Sequence, residues 1–339
     1  MKDDKLAIVG ATGLVGSIVL EILASKKILG DIDPDNLIFV ASDKSMGKTI
    51  SFLGKDIPVV TTKEAIAMHP RYVIMSAGAS TSREVAPLFV EAGATVIDNS
   101  SAWRTQPQIP LIVPSISSWE VSNKPQIIAN PNCVAIMLAL SIAPFMNLEV
   151  EHISASAMQA VSGAGWKGLR AFEEELKAGD GLKFESSPFV SNIAGNIIPA
   201  TTMNTNSPDY NEEEVKILFE VPKILGKQSL SLSAQSNRVP VPRGHSATVR
   251  ITFRQEYTKD EMVKLLKNAP QIKYSEEPLG PYDVVGKDYA IIRSFRQDEK
   301  NPKVFEFFTT SDNLRVGAAY NAVAILGQIK GVYHEKNYS

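Results

Sequence analysis

Short, continuously apolar runs recur through the first 130 or so residues: Lys5 to Val9, then "LIFVAS", "YVIMSAG", "ATVIDNS", "LIVPS" and "QIIANPN". Between them, apolar residues return at helical spacing, from Leu14 to Leu23 and again through "TSREVAPLFVEAG". The runs are apolar throughout rather than alternating, as expected of strands covered on both faces. Strands alternating with helices predict an α/β domain with a doubly wound parallel sheet.

From Cys133 the texture changes. An apolar helix, Cys133 to Met146, leads into the alternating strands "EHISASAMQAV", "RVPVPRGHSATVRITF" and "VFEFFTT", with helices at "GWKGLRAFEEELKAG", "NEEEVKILFE" and "TKDEMVKLLKNA". Pro222 is expected to break the helix containing Lys216 and Glu220. This is the pattern of a second, α+β domain with a mixed sheet. The length of 339 residues fits two domains of roughly 150 residues each. The last helix, "NLRVGAAYNAVAILGQIKG", is rich in small residues and is assigned back to the first domain. The expected boundaries are 1–132 with 313–339 for one domain and 133–312 for the other.

Composition narrows the class. Formal net charge is -2, so no basic surplus favours nucleic acid. The start "MKDDKLAIVGATG" runs straight into a strand and a glycine turn, without the apolar stretch of a signal peptide. The longest apolar run, Val134 to Met146, carries Ser141 and Pro144 and falls short of the roughly 20 residues that span a bilayer. A cytoplasmic protein is expected. One cysteine excludes an internal disulfide and a multi-thiolate zinc site, and the four histidines show no ligand spacing, so no metal is expected.

The first candidate site is "GATGLVG", where Gly10, Gly13 and Gly16 follow a strand and open a helix. Glycines there permit a tight turn and let a diphosphate approach backbone N–H groups at the positive helix end. The plainer reading is a structural turn; the position at the head of a repeated strand–helix region favours the cofactor. After the second strand, Asp43 can accept from a ribose 2′-hydroxyl, whereas Ser42, Lys44 and Lys48 suit a 2′-phosphate, which favours NADP.

The second candidate is Cys133, between "NPN" and an apolar helix. A free cysteine usually packs as a small inert hydrophobe. A helix start, with Pro131 and Asn132 shaping the entry, instead favours a thiolate. Of the histidines, His69 and His334 lie in surface-like contexts and His152 in a strand without catalytic neighbours. His245 follows a glycine and shares its segment with Arg238, so a Cys133–His245 pair can form the thiolate and move a proton.

Taken together, "GATGLVG", "SAGAS", "DNSSAWR", "NPNC", "QAVSGAG", "EEEVK", "RVPVPRGHS" and "SDNLRVGAAYNAV" resemble the aspartate-semialdehyde dehydrogenase family nearly end to end and in order. The resemblance implies a Rossmann-type NADP-binding domain and a catalytic, dimerising second domain, as in glyceraldehyde-3-phosphate dehydrogenase-like enzymes. It implies a homodimer or homotetramer that reduces 4-aspartyl phosphate to L-aspartate-4-semialdehyde with NADPH, releasing phosphate, on the way to lysine (through diaminopimelate), threonine and methionine. Cys133 matches the nucleophile, His245 the acid/base group and Gln159 the residue that orients the intermediate. Arg238 matches the carboxylate clamp and Glu213 the ammonium acceptor, with neighbouring acids at 212 and 214 leaving the register open. Arg104, Asn132 and Lys216 match the phosphate pocket. The cofactor set is Gly10, Thr12, Gly13, Leu14, Val15, Ser42, Lys44, Ser45, Ser162, Gly163 and Asn321.

Some residues depart from the family pattern. Val134 and Ala135 replace hydroxyl residues after the cysteine, and Ser236 stands at a frequent cysteine, where only packing is expected to change. Lys44 replaces a usual arginine, and Ala79 and Val316 replace commoner residues near the cofactor. Two rival readings are an N-acetyl-glutamyl-phosphate reductase, whose substrate is longer and lacks the free ammonium, and a non-catalytic relative acting as a binding subunit. The acidic run before Lys216 opposes the first, and the retained Cys133, Gln159, Arg238 and His245 oppose the second.

Overall fold

The computed structural model describes residues 4–25, 28–41, 47–120, 122, 124–179, 187–199, 203–334 and 338. The chain separates into two compact units, one of Met1–Asn132 with Ala318–His334, the other built on Cys133–Gly317. The return to the first unit thus comes at Ala318 rather than at 313. The reason is local: Asn313 bonds to Gly244 and Ser162, and Gly317 lies against Cys133, all within the second unit.

The first unit holds a seven-stranded sheet of β1 (Leu6–Val9), β2 (Leu37–Val40), β3 (Thr49–Phe52), β4 (Lys55–Val60), β5 (Tyr72–Met75), β6 (Thr95–Asp98) and β7 (Ile127–Ala129), in the order β3-β4-β2-β1-β5-β6-β7. Every pairing is parallel except the β3–β4 hairpin at the edge. Stepping outward from β1 in both directions gives the doubly wound order, with its reversal between β1 and β5. The central strands β1, β2, β5 and β6 are buried along their whole length, which explains their continuous hydrophobicity. Helices α1 (Leu14–Ala24), α2 (Thr62–Ala67) and α3 (Ala79–Glu91) connect strands. "LIVPS" does not form a strand: Leu111 makes a single bridge to Ala129, and Pro110 and Pro114 have no N–H to extend the ladder.

The second unit opens with α4 (Cys133–Ile142), buried from Val134 to Ile142, as a helix apolar on every side must be. At Pro144 the chain tightens into a 3₁₀ turn, so α4 stops short of Met146. The mixed sheet comprises β8 (Val150–Gln159), β11 (Leu232–Arg238), β12 (His245–Phe253), β13 (Ile272–Tyr274), β14 (Ala290–Gln297) and β15 (Val304–Ser311), in the order β11-β8-β12-β15-β14-β13. A short ribbon, β9 (Met203–Asn204) with β10 (Ser207–Asn211), precedes α6 (Glu212–Ile224); α5 (Gly165–Ala178) and α7 (Lys259–Lys267) complete the unit. One face of the sheet is packed with Phe145, Phe253, Phe295, Phe305 and Phe307. Phe295 and Phe305 stack with centroids 5.5 Å apart, and such pairs add about 0.5–1.5 kcal/mol beyond area burial. On the other face, alternation along β8 and β12 leaves Ser154, Thr248 and Arg250 exposed.

Pro222 does not break α6, which continues to Ile224. It sits in the last turn, where it forfeits only the bond to the Leu218 carbonyl, while its own carbonyl accepts Lys227 N–H at 2.9 Å. The final helix starts as a π-helical turn, Arg315–Ala319, and becomes α8 (Tyr320–Ile329), which packs on α1, β5 and β6 within the first unit.

Candidate active site

Cys133 is the first residue of α4, with no acidic residue in that turn to oppose a thiolate. Its Sγ lies 3.0 Å from Nε2 of His245 at the start of β12. The imidazole is fully buried, and its Nδ1 accepts the backbone N–H of Ala160 at 3.0 Å. Burial first, and the nearby Arg238 guanidinium second, push its pKa down to about 3 against the opposing pull of Glu213. A neutral ring whose Nδ1 lone pair is engaged carries its proton on Nε2. It therefore offers the sulfur an N–H donor, and has no free Nε2 lone pair with which to remove a thiol proton. This geometry presents the Cys133–His245 contact as a hydrogen bond from Nε2–H to sulfur.

Beside this pair stands a polar cluster from three elements. The Gln159 side chain, at the end of β8, donates through Nε2 to Ser236 Oγ at 2.9 Å and to Glu213 Oε2 at 3.2 Å. Lys216 Nζ donates to the other Glu213 oxygen at 2.5 Å, one turn along α6. Burial alone would raise the Glu213 pKa, but the Lys216 charge and hydrogen bond, with help from Gln159 and Arg238, bring it to about 2. The register of the acidic run follows from the cap of α6. Asn211 and Glu214 form a capping box, and Glu214 also accepts Ser236 N–H. Glu212 is exposed, which leaves Glu213 directed at Gln159.

Arg238, the last residue of β11, donates through Nη1 to Ala160 O at 2.7 Å and lies 5.9 Å from the Phe189 ring centroid. Its Nε is buried without a hydrogen-bond partner among the described residues. Burial lowers its pKa while Glu213 and Cys133 raise it; a guanidinium keeps its proton regardless. Gly163 belongs to this corner. A Cβ there would come within 2.6 Å of Arg238 Nη1 and 3.3 Å of His245 Cε1, so the glycine makes room for both side chains. Ser162 bonds to Asn313.

Several site residues went unassigned in the sequence reading. A Cβ on Gly317 would lie 2.7 Å from Cys133 Cβ. Asp312 holds Arg243 by two bonds, 2.8 and 2.7 Å, and accepts N–H groups from Gly286 and Leu314. Asn313 accepts Gly244 N–H at 2.9 Å. Asp312 and Asn313 thus grip the two residues before His245. Their motif, "SDNLRVG", is visible in sequence; their partners are 69 positions away. Ser236, where only packing is expected to change, accepts the Gln159 amide on its hydroxyl.

In the first unit, Gly10 adopts the left-handed φ of +82°, and a Cβ there would sit 2.5 Å from Ser76 O. Gly13 caps α1 without a side-chain bond, and its first turn, starting at Leu14 and Val15 after Thr12, carries no acid. A glycine turn against an uncapped helix start suits a diphosphate. Ser42, Asp43, Lys44 and Ser45 lie outside the described residues; Lys48 is exposed. Asn321 is buried, its amide donating to Ile112 O and to Asn130 Oδ1. Asn130 in turn donates to Asn99, and Asn99 to Ser76, tying the ends of β5, β6 and β7 to α8. The Arg104 guanidinium is held by Asn130 O at 2.9 Å and Asn99 O at 2.7 Å. Asn132, just before Cys133, is buried. Ala79 opens α3, and Val316 is buried in the π-helical turn. Among the described residues no group of three or more His, Cys, Asp or Glu is arranged for a metal ion, and no helix is long and apolar enough to cross a membrane.

Residues 5–124 match the model of the semialdehyde dehydrogenase NAD binding domain, and residues 142–316 that of the semialdehyde dehydrogenase dimerisation domain. An aspartate-semialdehyde dehydrogenase of Prochlorococcus marinus is 35% identical over 94% of both chains. Among solved structures, aspartate semialdehyde dehydrogenase II of Vibrio cholerae is 31% identical with a TM-score of 0.88, covering 97% of this chain and 99% of its own. The same enzyme complexed with ASA gives 0.87 at 31% identity, with 97% of each chain covered. The chain belongs to the aspartate-semialdehyde dehydrogenase family.

Proposed function

We propose that this protein is an NADP-dependent, phosphorylating aspartate-semialdehyde dehydrogenase, reducing 4-aspartyl phosphate to L-aspartate-4-semialdehyde in the supply of lysine through diaminopimelate, threonine and methionine. The observation that carries the reading is Cys133 Sγ 3.0 Å from an imidazole N–H donor beside an ionised Glu213 and Arg238. Cys133, as the thiolate after losing its proton to solvent, attacks the acyl carbonyl, the C–O bond to phosphate breaks, and a thioester remains on sulfur. The cofactor, when bound, supplies hydride to that thioester. The His245 Nε2–H donates first to the thiolate and then to sulfur as the thiohemiacetal collapses to the aldehyde. Gln159 orients the acyl group, Arg238 takes the α-carboxylate and Glu213 the α-ammonium. Arg104, Asn132 and Lys216 are assigned to phosphate by resemblance to the family.

The glycine turn at Gly10 and the uncapped start of α1 fit a dinucleotide diphosphate. Selection of NADP is assigned to Ser42, Lys44 and Ser45. Ionised Glu213 favours an α-ammonium over an N-acetylated substrate, which brings no cation to that carboxylate. The exposed face of the six-stranded sheet, around Ser154, Thr248 and Arg250, is the surface on which we place a homodimer, or a tetramer of such pairs, in the cytoplasm.

The test follows NADPH formation from L-aspartate-4-semialdehyde and phosphate, with Cys133→Ala as control and NAD as alternative cofactor. A phosphate-dependent rate lost in the variant supports the reading. Activity with N-acetyl-glutamate semialdehyde alone transfers the chain to the rival reductase, and silence with both points to a non-catalytic subunit.

A further inference from the structure

Glu213 and Lys216 are assigned to opposite ends of the substrate, ammonium and phosphate, yet in the structure they hold each other. Lys216 Nζ sits 2.5 Å from Glu213 Oε1, in the position an ammonium ligand of that carboxylate would take. Both side chains are partly buried, 28% and 22% exposed, so their attraction is less screened than that of a surface pair. The second Glu213 oxygen faces Gln159.

We infer that Lys216 is an internal stand-in for the substrate ammonium, and that an arriving α-ammonium displaces it from Glu213 and releases its charge to the phosphate subsite. The inference rests on the ligand roles proposed above and adds a coupling between them. While Lys216 is paired, its charge is neutralised by Glu213 and contributes little to binding a phosphate. Once an ammonium occupies Glu213, Lys216 can turn to an anion. Phosphate and α-ammonium then assist each other's binding, and by linkage the assistance is equal in both directions. A substrate carrying both groups on one skeleton gains the whole coupling; phosphate alone, or an α-amino acid alone, gains none. The device thereby discriminates against the free phosphate that accumulates as product.

The experiment measures phosphate binding to the full chain by titration calorimetry, with and without saturating L-2-aminobutyrate, a short α-amino acid lacking phosphate. Butyrate, which has the carboxylate but no ammonium, serves as control. L-2-Aminobutyrate is expected to tighten phosphate binding about tenfold, the middle of the usual range for coupled sites, and butyrate to leave it unchanged. In Lys216→Met the coupling should vanish, and L-2-aminobutyrate should bind more tightly because its competitor is gone. Equal phosphate affinity with and without the amino acid overturns the exchange. So does coupling that survives in Lys216→Met, which would mark direct attraction between the two ligands. Failure of the unaltered protein to bind L-2-aminobutyrate at all overturns instead the assignment of Glu213 to an α-ammonium, and the exchange with it; the two failures are separated by the amino acid titration alone.

Discussion

The backbone N–H of Ala160 donates to Nδ1 of His245 at 3.0 Å, and that bond fixes the imidazole proton on Nε2, facing Cys133. If the ring acts as a donor, a side chain that keeps an N–H at that place should keep much of its effect. Hydrogen bonds to charged groups are worth about 1.5–3 kcal/mol. His245→Ala is therefore expected to shift the midpoint of iodoacetamide alkylation of Cys133 upward by about one to two pH units, and His245→Gln by distinctly less. Equal shifts in the two variants would mean that a charge on the ring, rather than its N–H, stabilises the thiolate.

The same burial has a consequence for stability in acid. The His245 pKa is about 3 in the folded chain and near 6.5 unfolded. The unfolded state therefore binds the extra proton first, and stability present above pH 6.5 is lost as pH falls toward 3. Glu213, at about 2 against an ordinary 4.5, acts with the same sign, its contribution present above pH 4.5 and lost toward pH 2. For His245 the loss is on the order of 5 kcal/mol over its window. Urea unfolding measured at pH 7, 5 and 4 should show a falling midpoint, with a shallower fall in His245→Gln. An unchanged slope in that variant would assign the acid sensitivity elsewhere.

The sheet of the first unit was legible because β1, β2, β5 and β6 are covered on both faces, and a doubly buried strand writes itself as an unbroken apolar run. "LIVPS" carried the same signal and failed, since periodicity does not register that two prolines remove the donors a ladder needs. Pro222 failed the other way: a proline in the last turn costs one bond, and the sequence does not show how near the helix end lies. At the candidate site, the motifs single out Cys133, His245, Gln159, Glu213 and Arg238, which the fold brings into one cluster. Asp312, Gly317 and the Ala160 amide were not, because their roles consist in what they touch across long separations. Which of three adjacent glutamates faces Gln159 followed only from the capping geometry of α6.

Gly317 tests how closely the thiol must be placed. A methyl group there would stand 2.7 Å from Cys133 Cβ and 3.1 Å from its Cα, so the start of α4 or the π-helical turn must move. Overpacking of this kind costs about 1–3 kcal/mol of stability, and a displacement near 1 Å at a reacting atom can cost about a hundredfold in rate. Gly317→Ala is expected to lower kcat by that order while the circular dichroism spectrum is kept and the urea midpoint falls modestly. Unchanged kcat would show that the helix start tolerates the shift and that the close approach is incidental.

Asp312 carries two bonds from Arg243 and the N–H groups of Gly286 and Leu314 while fully buried. Replacing it by Ala leaves Arg243 unpaired in a partly buried site, a change that typically costs about 3–5 kcal/mol. Asp312→Asn keeps part of the hydrogen bonding but not the charge, and should fall between. Because Asn313 separately holds Gly244, the expected pattern in Asp312→Asn is a lowered Tm with a smaller loss of kcat. A large loss of kcat at unchanged Tm would instead place Asp312 in direct control of His245.

Ser236 tests whether the Gln159 amide needs two acceptors. Its Nε2 donates to Ser236 Oγ at 2.9 Å and to Glu213 Oε2 at 3.2 Å, so the hydroxyl is the nearer of the two. Removing it leaves the amide tied only to a carboxylate that the proposed substrate ammonium must share. With a net worth of about 1 kcal/mol for such a bond, Ser236→Ala is expected to lower kcat/KM roughly five- to tenfold. The urea midpoint should change little, since no large group is lost. Ser236→Cys restores the size but with a weaker acceptor, and should lie between. The ordering of the three variants separates orientation of Gln159 from packing alone. If Ser236→Cys and Ser236→Ala differ in stability while all three share one kcat/KM, packing is the whole of its role and Gln159 is oriented by Glu213 alone.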